Sequence, residues 1–452
     1  MRSESGDLLF RLHDVQNGTS RKKAQIPDLT SAQRGIWFAQ QLNPTSPVYN
    51  IAEYLEIHGS LDQVLFEQAL RQVVAEAETL HVTFADEGQG PQQKLSQQDD
   101  WRLPIIDCAA EADPQAVAEA WMRADLASPL DLSQGPLFSF ALFRTAPDSL
   151  LFYHRYHHII SDGAARALIV QRLAEVYSAL VTGQPSGPSW FGDPRELAAA
   201  DAEYHNSDAF QRDRRYWMER FGDAPTPASL SGRRASGGET LRRGSFLSRE
   251  VSVGLRELAR SYETSLPRLL VTLISIYVYR LTGREDLIIG FPVAARSEPS
   301  LRRVPGMAAN VIPLRLELDR EMGLEALLRQ VSREITQSLQ HQRYRFEALR
   351  RDLGLLARQE PLFATSISIE PFDYNRRFGE SSITPHNLEN GPAEDFNIFA
   401  FARVEAGLEL CIHANAALYS AAELDMHLER LAALFQAIVN NPTLRLQPSC
   451  QG

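Results

Sequence analysis

Apolar and polar positions along the chain follow two periods, one near 3.6 residues and one of 2, and the switches between them mark out helices and strands. Thr30-Ser31-Ala32-Gln33 predicts a capped helix start, with Thr at the cap and Gln three residues on. Asn43-Pro44 ends that helix, and Ile36 and Trp37 face the core. Residues 50–58 alternate as a strand, and 61–79 read as a long helix with Leu65, Phe66, Ala69, Leu70, Val73 and Val74 on one face. Residues 137–143 and 150–158 predict two further strands, and Ala165, Leu168, Ile169, Leu173, Val176, Tyr177 and Leu180 place a helix directly behind the second. The stretch 183–194 is dense in Gly and Pro and predicts a linker. Beyond it come a charged helix (196–221), a loop (222–244), an apolar helix (266–281) stopped by Gly283, and a buried strand (287–291). Strand-like segments at 363–369, 396–404 and 408–413 and a closing helix at 421–439 complete the pattern. Helices and sheet mix in both halves, an α/β (α+β) pattern. It divides into a leader (1–26), an N-terminal lobe (27–183), a linker (184–195) and a C-terminal lobe (196–445).

Length and charge narrow the options. A chain of 452 residues with 44% hydrophobic residues is a soluble globular protein too long for one ordinary core. A formal net charge of -11 argues against nucleic acid as a partner. Arg233-Arg234 and Arg242-Arg243 read as solvated loop pairs. Cys108, Cys411 and Cys450 have no CxxC spacing, which predicts neither a disulfide framework nor a zinc site and fits a reducing cytoplasm. Leu8-Leu9-Phe10 is too short for a signal peptide, with Arg-Lys-Lys at 21–23 following it, and no run is long enough to span a membrane.

Candidate chemistry concentrates where the strand ending in Tyr156-His157-His158 meets Ile159-Ile160-Ser161-Asp162-Gly163. Strand alternation places Phe152, His154, Tyr156 and His158 on one face and Tyr153, Arg155 and His157 on the other. That divergence weighs against a metal site of His154, His157 and His158, whose ligands would have to converge. Taken alone, a strand-end histidine is more often a hydrogen-bonded structural residue, and Asp162 a helix cap.

The full spacing HHxxxDG resembles the signature of condensation domains of nonribosomal peptide synthetases, in the chloramphenicol acetyltransferase-like superfamily. The rest of the chain agrees in order, over residues 30 to about 440. TSAQRGIWFAQQL is similar to the family's SxAQxxxW motif, and Glu78 to Phe84 to its second motif, with His81 and Ala77 as departures. Pro292-Val293-Ala294-Ala295-Arg296 resembles the fifth motif. Pro305-Gly306-Met307 with Asn310-Val311-Ile312-Pro313-Leu314-Arg315, the segment His341 to Glu347, and Glu360-Pro361-Leu362-Phe363 resemble later ones.

The resemblance implies two chloramphenicol acetyltransferase-like lobes in a V-shaped pseudo-dimer, with a tunnel between them ending on His158. The implied reaction is amide formation, in which the amine of an aminoacyl thioester on a downstream peptidyl carrier protein, loaded by an adenylation domain, attacks an acyl thioester. It requires no permanently bound cofactor, since substrates arrive on phosphopantetheine or coenzyme A. His158 is expected to accept the amine's proton or to stabilise the adduct, and His157 to support the loop. Asp162 is expected to pair with Arg296 and Gly163 to follow it in the motif. Ser161, Asn310, Tyr344 and Asp395 are expected along the tunnel. Ala164 stands where the family often has an aromatic residue. With the first motif within about thirty residues of the start and the segments Arg155 to His158, His341 to Tyr344 and Gly391 to Phe396 resembling initiating domains, a starter domain is expected. Its donor would be a fatty or aryl acyl group on coenzyme A or on an acyl or aryl carrier. The alternatives are an elongating domain taking a peptidyl donor, an epimerisation domain, and a non-catalytic recruitment relative.

Overall fold

The computed structural model describes residues 28–88, 90–96, 100–223, 225–233, 239–358, 360–370, 377–403 and 407–443. The expected leader, Arg234 and Cys450 lie outside them. In chain order the strands are β1 (Asn50–His58), β2 (Val82–Asp86), β3 (Pro91–Leu95), β4 (Ile105–Asp107), β5 (Phe138–Ala146), β6 (Ser149–His157), β7 (Thr240–Phe246), β8 (Asp286–Val293), β9 (Asn310–Glu317), β10 (Thr365–Glu370), β11 (Arg377–Phe378), β12 (Ser381–Asn390), β13 (Phe396–Arg403) and β14 (Gly407–Asn415). They form a six-stranded sheet ordered β11-β12-β1-β6-β5-β4, another ordered β7-β14-β13-β10-β8-β9, and the β2-β3 hairpin.

Each large sheet carries its own core. On the first, Phe66, Leu70 and Val73 of helix Gln63–Glu76 and Ile169, Leu173 and Tyr177 of helix Gly163–Val181 pack with Phe140, Phe152 and Tyr156 of the strands. In the second half, helix Leu266–Thr282 is buried at every residue from 269 to 279, as an apolar sequence all round a helix requires. It stops at Gly283, whose φ of 64° is the left-handed conformation that ends a helix at low cost. Helix Ser31–Leu42 starts on the expected capping box of Thr30 and Gln33 and buries Ile36 and Trp37.

Two departures from the sequence pattern bear on the division into lobes. First, β12 belongs to the first sheet although it comes from the second half of the chain: Ile51 lies opposite Asn390 and Ile57 opposite Ile383. The cut at 184–195 therefore does not separate the two sheets. Pro385 is tolerated in β12 because, among the described residues, β11 pairs only with Ser381 and Ser382, which leaves that side of β12 without a described partner strand beyond them. Second, the expected linker is fastened down. The carbonyls of Ser186 and Gly187 accept the buried Arg172 guanidinium, and Gly192 N–H donates to the Arg303 carbonyl at 2.8 Å.

Candidate active site

β6 ends on His157, one residue earlier than the alternation predicts, and His158 turns out of the strand with its N–H donating to the Tyr49 carbonyl at 2.7 Å. The three histidines diverge. His154 Nε2 lies 3.2 Å from Glu53 Oε1 in the core. His157 Nε2 lies 3.2 Å from Gln40 Oε1, and its Nδ1 accepts the Ile159 N–H. With no N–H left on Nδ1, its neutral ring donates from Nε2. Burial, helped by the neighbouring His158 and Arg155, pushes its pKa down to about 3, so His157 stays neutral and holds the loop.

His158 is held differently. Its Nδ1 is 2.8 Å from the Ser161 carbonyl, which can only accept, so Nδ1 carries the hydrogen and Nε2 carries the lone pair. Burial lowers its pKa below the ordinary histidine value, against the opposing effects of the Ser161 hydrogen bond and Asp162. The half-buried ring lines a cavity of about 1670 Å³ walled by both halves of the chain. From the first half come Tyr49, Ile51 and Gly163, and from the second Phe291, Met307 and Phe363.

Asp162 closes the loop. One carboxylate oxygen caps helix Gly163–Val181 by accepting the Ala165 N–H at 2.9 Å. The other accepts Arg296 Nη1 at 2.8 Å and the N–H groups of Ala308 and Ala309, each at 2.9 Å. Burial raises the pKa of this group, but Arg296 and the backbone donors more than offset it and hold the carboxyl below its usual value. Ala295, immediately before Arg296, adopts φ 51°, an uncommon conformation for a residue with a side chain. The other amino group of Arg296 donates to the Gly306 carbonyl at 2.7 Å.

The remaining expected positions separate. Gly163, Asn310 and Asp395 line the cavity, whereas Ser161 and Tyr344 do not. Ser161 is fully buried behind the loop and contributes its carbonyl. Tyr344 is turned into the second core, where its hydroxyl donates to Asp352 at 2.6 Å. Asn310 reaches the cavity while its side chain clamps the Gln342 and Tyr344 carbonyls and the Phe346 N–H. Asp395 accepts the Tyr419 hydroxyl at 2.6 Å, and burial raises its pKa. Among the charged lining residues that were not anticipated are Arg166 and Glu370. Arg166 falls one turn after the capping Asp162, and Glu370 continues the alternation of Ser366 and Ser368 along β10. Burial raises the Glu370 pKa against the nearby Arg166.

The sequence matches the Condensation domain family over residues 23–448. It is 41% identical over 90% of its length to a dimodular nonribosomal peptide synthase of Bacillus subtilis (strain 168), and 39% identical over 95% to an isonitrile lipopeptide synthase of Streptomyces coeruleorubidus. It spans only 17% and 29% of those two proteins. Among solved structures it is similar to the starter condensation domain of rhizomide synthetase RzmA, an arginine-to-alanine variant in complex with C8-CoA, with a TM-score of 0.87 and 40% identity, covering 92% of this chain and 96% of that one. The first condensation domain of the calcium-dependent antibiotic synthetase superposes with a TM-score of 0.88 at 31% identity, covering 94% and 98%. The fold is the chloramphenicol acetyltransferase-like fold of these structures, and the chain belongs to the condensation domain family.

Proposed function

We propose that this domain joins an acyl group, delivered as a coenzyme A or carrier-bound thioester, to the amine of an aminoacyl thioester on a downstream peptidyl carrier protein, initiating a lipopeptide. One observation carries the reading: an imidazole whose Nδ1 is fixed on Ser161 and whose Nε2 bonds to no other group among the described residues lines a cavity walled by both halves. The amine nitrogen bonds to the thioester carbonyl carbon, the C–S bond breaks, and the amine's proton passes through His158 Nε2 to the departing thiolate. Asp162 does not carry this proton, because its ion pair and three N–H donors hold it ionised. The thioester is already activated, so placing two tethered reactants together supplies most of the acceleration.

A cavity of about 1670 Å³ exceeds the roughly 300–1,000 Å³ of an ordinary ligand pocket and fits two long arms meeting at one histidine. The initiating assignment is supported by the similarity to a starter domain bound to C8-CoA and to a lipopeptide synthase. Octanoyl-CoA offered with an aminoacyl-loaded carrier tests it. Acyl-aminoacyl carrier detected by intact mass is the expected product, and turnover with peptidyl carriers alone would overturn initiation.

A further inference from the structure

Residues 391–395 carry the chain from β12 in the first sheet to β13 in the second. The crossover begins at Gly391, with φ +96°, and a methyl group placed there would lie 3.2 Å from Cδ2 and 3.7 Å from Nε2 of His158. The imidazole is thus bounded on two edges, by the Ser161 carbonyl at Nδ1 and by the Gly391 backbone beside Cδ2 and Nε2. The residues that follow are tied to the second half. Asp395 accepts the Tyr419 hydroxyl at 2.6 Å, its carbonyl accepts the Asn415 N–H at 3.0 Å, and Glu394 meets Arg350 at 3.1 Å.

We propose that Gly391 is a positioning residue for His158, through which the placement of the second half sets the depth of the reacting ring nitrogen in the cavity. The proposal rests on the reading of His158 as the reacting group. No other residue type serves at 391 without strain. A side chain at this φ is disfavoured, and its first carbon would crowd Cδ2 and push apart either the ring and Ser161 or the crossover and the cavity wall. A backbone displaced here changes where Nε2 sits without removing any group that touches a substrate.

The test compares Gly391→Ala and Tyr419→Phe with His158→Ala in the purified domain, using octanoyl-CoA and an aminoacyl-loaded carrier. Gly391→Ala is expected to lower kcat by about 10- to 100-fold, since small misplacements of a reacting group are costly, with both KM values within about twofold of wild type. It is also expected to shift the acidic limb of the pH–rate profile, which a purely structural role would leave in place. Tyr419→Phe removes one of the ties on Asp395, acting from outside the cavity, and is expected to lower kcat by about threefold in the same KM-neutral way. Folded Gly391→Ala with wild-type kcat overturns the proposal. If Gly391→Ala does not fold, Tyr419→Phe decides, and wild-type kcat there overturns it equally. Activity retained in His158→Ala would instead overturn the reading of His158 on which the proposal rests.

Discussion

The same local unit occurs in both halves of the molecule, and only one copy carries the cavity histidine. β5, β6 and helix Gly163–Val181 form a hairpin, loop and helix; β13, β14 and helix Ala421–Asn440 form another. Each helix begins with a side chain capping the third helical N–H, Asp162 to Ala165 in the first and Ser420 to Glu423 in the second. The second cap stays within its own half: one Glu423 carboxylate oxygen returns to the Ser420 N–H at 2.6 Å in a capping box, and the other meets Arg233 of the same half at 3.0 Å. The first cap uses a carboxylate with an oxygen to spare, and that oxygen is bound by Arg296, Ala308 and Ala309 of the other half. A cap whose partners all lie in its own half closes that half, whereas a cap that reaches into the other half fixes a loop against it and places its histidine between the two.

The sharpest way to break this comparison is to remove one histidine from each of the two units. His158→Ala is expected to reduce amide formation by about 10²–10⁴-fold, the contribution typical of a positioned acid–base group, with the unfolding temperature little changed. His413→Ala, on β14, removes a fully buried ring that meets Glu389 at 3.4 Å and is expected to cost stability rather than turnover per folded molecule. Product mass and calorimetry on both variants check the pair, and a turnover defect in His413→Ala alone would reverse the assignment. Because His158 titrates below the ordinary histidine range, kcat/KM is expected to stay level as pH falls through 6.5 and to decline only below it.

The caps come next. Arg296→Ala leaves the Asp162 carboxylate buried beside three N–H groups with no cation, and loss of one partner of such a pair typically costs about 3–5 kcal/mol. A fall of several degrees in unfolding temperature, accompanied by loss of product, is the expected result. Ser420→Ala removes a cap that answers to its own helix alone and is expected to cost about 1 kcal/mol, with unchanged turnover. Equal losses in the two variants would show that the outward reach of Asp162 contributes nothing beyond capping.

Most of this contrast was legible in the residues. Periodicity located the hairpins and long helices, because amphipathic faces of 10 to 20 residues outweigh local exceptions. The divergence of the histidines followed from strand alternation, although the strand's end at His157 did not, since a turn that begins on a hydrogen bond to Tyr49 leaves no composition signal. β12 was missed for the opposite reason. Its sequence SSITPHNLEN is polar and contains Pro385, and it is a strand only because β1, more than 320 positions earlier, supplies its partner. Ser161 and Tyr344 were misplaced because a motif names neighbours in sequence without saying which atom is used. Ser161 contributes its backbone carbonyl, and Tyr344 points to Asp352.

The last contrast separates the two halves by pH. His157 has a folded pKa of about 3 against 6.5 in the unfolded chain, because burial excludes the charge. Below 6.5 the unfolded state therefore binds a proton that the folded state refuses, and stability falls as pH drops from 6.5 toward 3, by at most about 1.4 kcal/mol per pH unit for this group. His413 runs the other way. Burial opposes its charge, but Cys411 and the Glu389 carboxylate more than compensate and raise it to about 9. Its contribution is complete below 6.5 and is lost as pH rises through about 9, because the unfolded chain gives up a proton that the fold retains. His157→Gln, which keeps a donor for Gln40, should flatten the acidic arm of a plot of unfolding temperature against pH and leave the alkaline arm alone, while His413→Gln should do the reverse. Arms that move together in both variants would mean that the two histidines titrate as one network rather than as members of separate halves.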